Sequence, residues 1–294
     1  MNIYPAPGRL DAARIKQCHD DGYWRDELVG DLLARHAGER PDDIAIIDGE
    51  HRISWSKFHR LSLRFALHLR ALGIEPGDGV ALQMPNWFEY LLCYHGIRFA
   101  GGVVVQIGSD WRSTEMAYGF GIGPARAAII PKDFHGYDYP SAVRDLLPGL
   151  PDLKHVIVAR GAAPDGFLSL HELLADPIED RVPVETLRAC RPGPDQVIRI
   201  VFTSGTTGLP KAIMHTDNTL GHSGRRVIAD FKHDANDVVL MYVPFSTNFG
   251  AIMGLQLPMA AAPPPQTGNA AKPAAPRSPP RRRSRCWGCR RCCC

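Results

Sequence analysis

The chain has 294 residues, of which 45% are hydrophobic and 22% are charged, and its formal net charge is +3. This composition is typical of a soluble globular protein, and the length is enough for one large or two ordinary domains. No apolar run approaches the roughly 18 to 20 residues that a membrane-spanning helix needs, and the first residues lack an apolar signal core. The sequence therefore argues against a membrane span and predicts a cytoplasmic protein.

Charge and cysteine are unevenly distributed along the chain. Residues 260–294 contain eight basic and no acidic residues, whereas residues 1–259 contain 26 basic and 31 acidic ones. Five of the eight cysteines also lie in residues 286–294. The three scattered cysteines upstream fit a reduced cytosolic protein. The first 259 residues are thus acidic overall, and the final 35 are strongly basic.

Helix-type and strand-type patterns alternate over most of the chain. After a lead-in with a short helix at 11–17, we expect helices at 23–37, 56–72, 87–99, 113–121 (with Ser113 as its cap), 141–147, 169–175, 217–229 and 248–257. We expect strands at 44–47, 52–54, 79–84, 103–105, 127–130, 156–158, 197–202, 212–214 and 238–242. This alternation predicts an α/β fold of layered, mostly parallel sheets with flanking helices. The continuous apolar run at 103–105 predicts a strand buried on both faces, and the Pro-rich segment 176–194 predicts irregular structure.

Residues 260–294 differ from the rest of the chain. They contain seven prolines, the block Arg281–Arg283 and three terminal cysteines. Such a segment cannot bury enough apolar surface to offset its ordering entropy, so we predict a disordered tail. Two alternatives assign the tail a function: a basic arm that binds nucleic acid, or a metal site at Cys286, Cys289 and Cys292. We favour a frameshifted or truncated product of a GC-rich coding sequence, and we predict no nucleic-acid partner.

The stretch from Val201 to His215 reads V-F-T-S-G-T-T-G-L-P-K-A-I-M-H. Two strand-type runs flank a loop of small residues, with a lysine at its exit. Glycines let backbone N–H groups approach an anion, hydroxyls can donate to phosphate oxygens, and the lysine adds positive charge. The spacing is not that of the G-x-x-x-x-G-K-[ST] phosphate loop, and a polar hairpin turn is the alternative. The candidate phosphate-binding residues are Thr203, Ser204, Gly205, Thr206, Thr207, Gly208 and Lys211. His215, alone at a strand end, is interpreted as structural, and an approach to the nucleotide or acyl site is the alternative.

The string T-S-G-T-T-G-L-P-K at 203–211 resembles the signature loop of the adenylate-forming superfamily, the AMP-dependent synthetases and ligases. Residues 25–259 are similar to the first part of its AMP-binding domain, which implies a lead-in at 1–24, a partial adenylation domain at 25–259 and a tail at 260–294. Ala212 stands where the family usually has glycine. The segment P-F-S-T-N-F-G at 244–250 is similar to a later family element, which implies that Thr247, Asn248 and Phe249 line the acyl pocket. The family often has histidine at the position of Thr247. The short stretch 134–139 is similar to the branch that acts on aryl and alicyclic acids.

The resemblance implies an ATP-dependent ligase that activates a carboxylic acid as an acyl-adenylate and transfers it to CoA. ATP, Mg²⁺ and CoA are the implied cofactor and co-substrates. No protein metal ligand is assigned, since Mg²⁺ would come with ATP and contact the hydroxyl of Thr206 or Thr207. The family's catalytic lysine and adenine-binding elements are expected after residue 260, where this sequence does not show them. We therefore predict a chain without turnover. A non-catalytic fragment that binds nucleotide phosphate, or an adenylation enzyme that loads a carrier protein, are the alternatives.

Overall fold

The computed structural model describes residues 11–123, 125–203 and 210–261, together with the backbone of residues 284 and 285. The helices are α1 Ala12–Asp20, α2 Val29–Glu39, α3 Trp55–Ala71, α4 Phe88–Phe99, α5 Ser113–Ile122, α6 Tyr139–Leu146, α7 Leu170–Ala175, α8 Asp217–Phe231, α9 Asn248–Ala251 and α10 Leu257–Ala260. The strands are β1 Ile44–Asp48, β2 His51–Ser54, β3 Gly79–Leu82, β4 Val103–Gln106, β5 Ala125–Pro131, β6 Asp133–Phe134, β7 Tyr137–Asp138, β8 His155–Ala159, β9 Leu168–Ser169, β10 Arg199–Thr203, β11 Lys211–His215, β12 Val238–Val239 and β13 Ser284–Arg285. Turns of 3₁₀-helix occupy Leu147–Gly149, Ile178–Asp180 and Val184–Cys190.

A seven-stranded sheet organises the fold, with the strand order β11-β10-β4-β3-β5-β8-β9. Neighbouring strands from β10 to β9 are parallel, and β11 pairs antiparallel with β10. Two antiparallel hairpins, β1–β2 and β6–β7, lie outside this sheet. The predicted α/β class with a mostly parallel sheet is confirmed.

The two faces of the sheet carry separate apolar clusters. Val80 and Leu82 of β3 pack with the cluster that α2, α3, α4 and α7 cover, whereas Ala81 packs with the cluster that α5 and α6 cover. In β4, Val104 faces the first cluster, and its two valine neighbours face the second. All four residues of β3 and of β4 are buried. Burial of the central strands on both faces, expected from the unbroken valine run, is therefore confirmed.

Three local expectations were wrong in detail. The helix expected at 23–37 begins only at Val29, because Asp26 has a positive φ of 57° and its N–H donates to Asn218 Oδ1, 192 residues away. Ser113 is the first residue of α5 rather than its cap, and the carboxylate of Glu115 accepts from the N–H of Arg112 instead. The strand expected at 238–242 shortens to Val238–Val239.

The helix expected at 248–257 forms, but it is not regular. It comprises α9, a π-helical turn at Ile252–Gln256, and α10, which extends to Ala260. The wider turn lies directly before α10, where Pro258 has no N–H to donate. Such π turns are often found beside functional sites.

The final part of the chain falls mostly outside the described residues. The predicted disorder of residues 260–294 can be compared only at residues 260, 261, 284 and 285, and the last two form a two-residue parallel ladder with β12. Within the described ranges, no helix combines the length and the apolar character that crossing a bilayer requires.

Candidate functional site

The hairpin β10–β11 holds the two ends of the Gly/Ser/Thr loop. Thr203 and Lys211 are directly opposite in the register, and Thr203 Oγ1 lies 3.5 Å from the carbonyl oxygen of Lys211. Lys211 is exposed. Five of the predicted phosphate-binding residues lie outside the described residues: Ser204, Gly205, Thr206, Thr207 and Gly208. The loop leaves the carboxyl end of β10, the edge at which parallel α/β sheets bind their ligands.

The exit of the loop is anchored on α5. The hydroxyl of Tyr118 donates to the carbonyl of Pro210 at 2.8 Å. The ring of Phe202 contacts those of Trp111 and Tyr118, at centroid distances of 5.1 and 6.0 Å. These contacts fix both sides of the loop base. Nothing in the sequence distinguishes Tyr118 from any other helical tyrosine, because its partner lies 92 residues away.

A second loop, Val243–Thr247, reaches the same edge of the sheet. Asn86, which follows β3, donates through Nδ2 to the carbonyl of Val243 and accepts from the N–H of Phe245 through Oδ1, both at 2.8 Å. Gln106, the last residue of β4, donates to the carbonyl of Phe245 at 3.0 Å. The ends of β3 and β4 therefore position the segment that leads into α9.

The three candidate acyl-pocket residues have different roles in the fold. Thr247 donates its hydroxyl to the carbonyl of Pro244 at 2.8 Å and accepts from the N–H of Gly250 at 3.0 Å, so its side chain caps α9. Asn248 Oδ1 accepts a hydrogen bond, whereas Phe249 is 47% exposed. Of the three, Phe249 thus offers free apolar surface, and the hydroxyl of Thr247 is already used.

The donor to Asn248 is a buried arginine at the start of β10. Arg199 is 0% exposed, and its Nη2 donates to Asn248 Oδ1 at 2.8 Å. Its Nε and Nη1 have no hydrogen-bond partner among the described residues. Burial lowers the pKa of Arg199, and the nearby Tyr94 and Tyr90 hydroxyls partly oppose this decrease. Strand β10 therefore links the candidate acyl-pocket residues to the candidate phosphate-binding residues, with Arg199 at its start and Thr203 at its end.

His215 lies at the far end of β11 from the loop and pairs with Arg199 in the register. Burial, followed by the charge of Arg199, lowers the pKa of His215 from 6.5 to about 4. The imidazole is therefore neutral at neutral pH. The structural role of His215 stays a prediction.

The donor set at the loop base fits a phosphate better than a metal ion. Thr203 supplies a hydroxyl and Lys211 an ammonium group, and neither is an anionic ligand of the kind that Mg²⁺ prefers in proteins. A nucleotide's Mg²⁺ would therefore enter with the phosphates rather than occupy a protein site. The arrangement fits a phosphate group, with the exposed Lys211 as its positive charge.

Comparisons with known proteins identify chains that are similar to this one in sequence and in fold. The family model described as AMP-binding enzyme matches residues 33–262. The medium-chain fatty-acid–CoA ligase of Escherichia coli (strain K12) is 28% identical over 239 residues, covering 81% of this chain and 41% of that protein. The 2,3-dihydroxybenzoate-AMP ligase of Bacillus subtilis (strain 168) is 31% identical over 229 residues, covering 78% of this chain and 40% of that protein. The apo structure of Mycobacterium smegmatis MbtA superposes with a TM-score of 0.73 at 30% identity, covering 87% of this chain and 46% of that one.

Proposed function

Because the chain belongs to the AMP-binding enzyme family, we propose that it is part of an ATP-dependent ligase that activates a carboxylic acid as an acyl-adenylate. The observation that carries this proposal is the β10–β11 hairpin, which sets Thr203 and Lys211 side by side at the carboxyl edge of the sheet. The family match and the relatives' names support acid activation as the reaction class.

In the proposed reaction, an oxygen of the carboxylate attacks the α-phosphorus of ATP. The bond from that phosphorus to the β-phosphate oxygen breaks, and pyrophosphate leaves with the electron pair. Negative charge grows on the leaving pyrophosphate, so cations and fixed hydrogen-bond donors lower the barrier. Lys211 and Thr203 supply such groups at the loop base, and Ser204, Gly205, Thr206, Thr207 and Gly208 would supply the rest of the cradle.

The acyl group is proposed to bind beside α9. Phe249 offers an exposed ring to the body of the acid, and Asn248 is held in one orientation by Arg199. An aromatic or a medium-length alkyl acid suits such a wall. The names of the two curated relatives, a medium-chain fatty-acid ligase and a dihydroxybenzoate ligase, cover both classes.

For the second step we propose transfer of the acyl group to the thiol of CoA, which displaces AMP. Loading of a carrier protein is the second candidate, because the 31% identical relative is named an AMP ligase and its name does not mention CoA. Mass spectrometry of thioester products after incubation with CoA, and separately with a pantetheinylated carrier protein, distinguishes these acceptors.

The chain spans about 40% of the length of the curated relatives that it matches. We propose that the 294-residue chain binds MgATP through the hairpin but does not complete adenylation alone. The test is pyrophosphate release with a panel of aryl and alkyl acids, alongside equilibrium binding of MgATP. Binding without release is expected. Acid-dependent release of pyrophosphate would show that the chain is active by itself. Absence of both MgATP binding and pyrophosphate release would overturn the proposal.

A further inference from the structure

A histidine and two aspartates from distant parts of the chain meet near the start of β10. His19 lies in the last turn of α1, Asp26 between α1 and α2, and Asp195 just before β10. His19 Nε2 lies 3.7 Å from Asp26 Oδ1 and 3.6 Å from Asp195 Oδ2. One ligand atom from each of the three residues lies within 4.8 Å of the other two. We call these three residues the His–Asp cluster.

A buried asparagine at the start of α8 holds the two carboxylates of the cluster together. Asn218, 2% exposed, donates through Nδ2 to Asp26 Oδ1 at 2.9 Å and to Asp195 Oδ1 at 2.8 Å. Its Oδ1 accepts from the N–H of Asp26 at 3.0 Å. The side-chain amide therefore fixes the positions of both carboxylates, which is the part that outer-shell hydrogen bonds play in metal sites.

The imidazole of the cluster is also held in place. The ring of His19 stands at 90° to the buried indole of Trp24, with a centroid distance of 5.5 Å. The side chain of His19 is 30% exposed, and those of Asp26 and Asp195 are 56% and 36% exposed. An ion can therefore reach the cluster from solvent without rearrangement of the core.

The carboxylates of the cluster lack a permanent counter-charge. Within the described part of the chain, Asp26 and Asp195 form ion pairs with His19 alone, and with no lysine or arginine. Two carboxylates that share one amide donor repel each other. A divalent cation would balance both charges and would also use the lone pair of the imidazole.

The separations within the cluster fit a single ion. Ligand atoms that lie about 2.1 Å from one metal ion are roughly 3 to 4 Å apart. The two distances from His19 Nε2 fall within that range. One imidazole nitrogen and two carboxylate oxygens are donors that suit Zn²⁺ or Mn²⁺. We propose that the His–Asp cluster binds one divalent metal ion of this class, which links α1 to the start of β10.

This site does not depend on the proposed ligase reaction. His19 and Asp26 precede residues 33–262, which the family model matches. Asp195 lies before β10, whereas Thr203 of the candidate phosphate-binding residues is the last residue of that strand. The ion is therefore distinct from the Mg²⁺ that accompanies a nucleotide.

The test is a titration of the nucleotide-free 294-residue chain with Mn²⁺ alone, in which electron paramagnetic resonance reports the free ion. Mn²⁺ is the probe because it prefers oxygen and nitrogen ligands, so the cysteines of residues 286–294 do not compete. The wild type is expected to bind one Mn²⁺ per chain. His19→Gln and Asp195→Asn should each weaken that binding by about tenfold or more. The matched controls His171→Gln and Asp42→Asn replace exposed residues and should bind as the wild type does.

A second measurement needs no variant of the cluster. In nuclear magnetic resonance spectra of the wild type, bound Mn²⁺ should broaden the indole N–H signal of Trp24, which contacts His19. It should do so at lower Mn²⁺ concentration than for Trp111, which contacts Phe202 at the loop base. Absence of Mn²⁺ binding up to about 1 mM would overturn the proposal, because His19 alone would then balance the carboxylates. Equal affinity in the wild type and both cluster variants, or earlier broadening of Trp111, would also overturn it, because the ion would then lie elsewhere.

Discussion

The ion pair between Arg98 and Asp217 allows a quantitative test of how the start of α8 is held on the sheet. The two side chains are 4% and 1% exposed, and the guanidinium contacts both carboxylate oxygens. Asp217→Asn leaves a positive charge buried without its counter-ion, which costs about 3 to 5 kcal/mol of unfolding free energy. Arg98→Met leaves the carboxylate of Asp217 buried without its counter-ion and should lower the unfolding free energy by a similar amount.

The double variant Arg98→Met/Asp217→Leu removes both charges together. Its cost should be about 1 kcal/mol, mainly because the N–H of Val29 loses its acceptor. The measurement is urea unfolding of the wild type, both single variants and the double variant, followed by circular dichroism. Asp230→Asn is the surface control, because Asp230 pairs with Arg226 while 52% exposed, and it should change stability by under about 1 kcal/mol. Equal costs for Asp217→Asn and Asp230→Asn, or a double variant less stable than both singles, would refute this reasoning.

Three further predictions concern the elements around the candidate site. Gly250→Ala should cost at least about 2 kcal/mol, since its new Cβ would lie 2.0 Å from the carbonyl oxygen of Pro244; Gly38→Ala, which meets nothing within 4 Å, should not destabilise in thermal unfolding. Asn86→Ala should raise the hydrogen-exchange rate of the Phe245 N–H, because the variant removes the acceptor of that group, and an unchanged rate would contradict the role of Asn86. The lowered pKa of His215, about 4 when folded against 6.5, means that the unfolded chain binds the extra proton first, so stability falls with decreasing pH between 6.5 and 4, by up to about 3 kcal/mol. Acid titrations of unfolding should show a shallower loss for His215→Gln, and identical slopes for both proteins would contradict the assignment.

The layered fold could be predicted because its signals are local. The valine run at 103–105 and the alternation of helix and strand patterns fix a sheet buried on both faces, whatever the remote contacts are. The start of α2 depended instead on the distant contact between Asp26 and Asn218.

The candidate site was only partly predictable for the same reason. The loop string made Thr203 and Lys211 candidates, and two strand-type runs around it predicted the hairpin that sets them opposite each other. The roles of Asn86 and Gln106 could not be read from the sequence, because their loop partners lie 157 and 139 residues away. Arg199 was not a candidate, because its hydrogen bond to Asn248, 49 residues later, exists only in the folded chain.

The β10–β11 hairpin is proposed to bind nucleotide phosphate, and calorimetric titration of the chain with magnesium pyrophosphate measures that binding. Lys211→Ala should weaken binding by on the order of tenfold or more, as expected for the loss of one charged hydrogen bond. Lys57→Ala, which removes an exposed lysine from α3, should bind as the wild type does. Equal affinity in the wild type and Lys211→Ala would contradict the account.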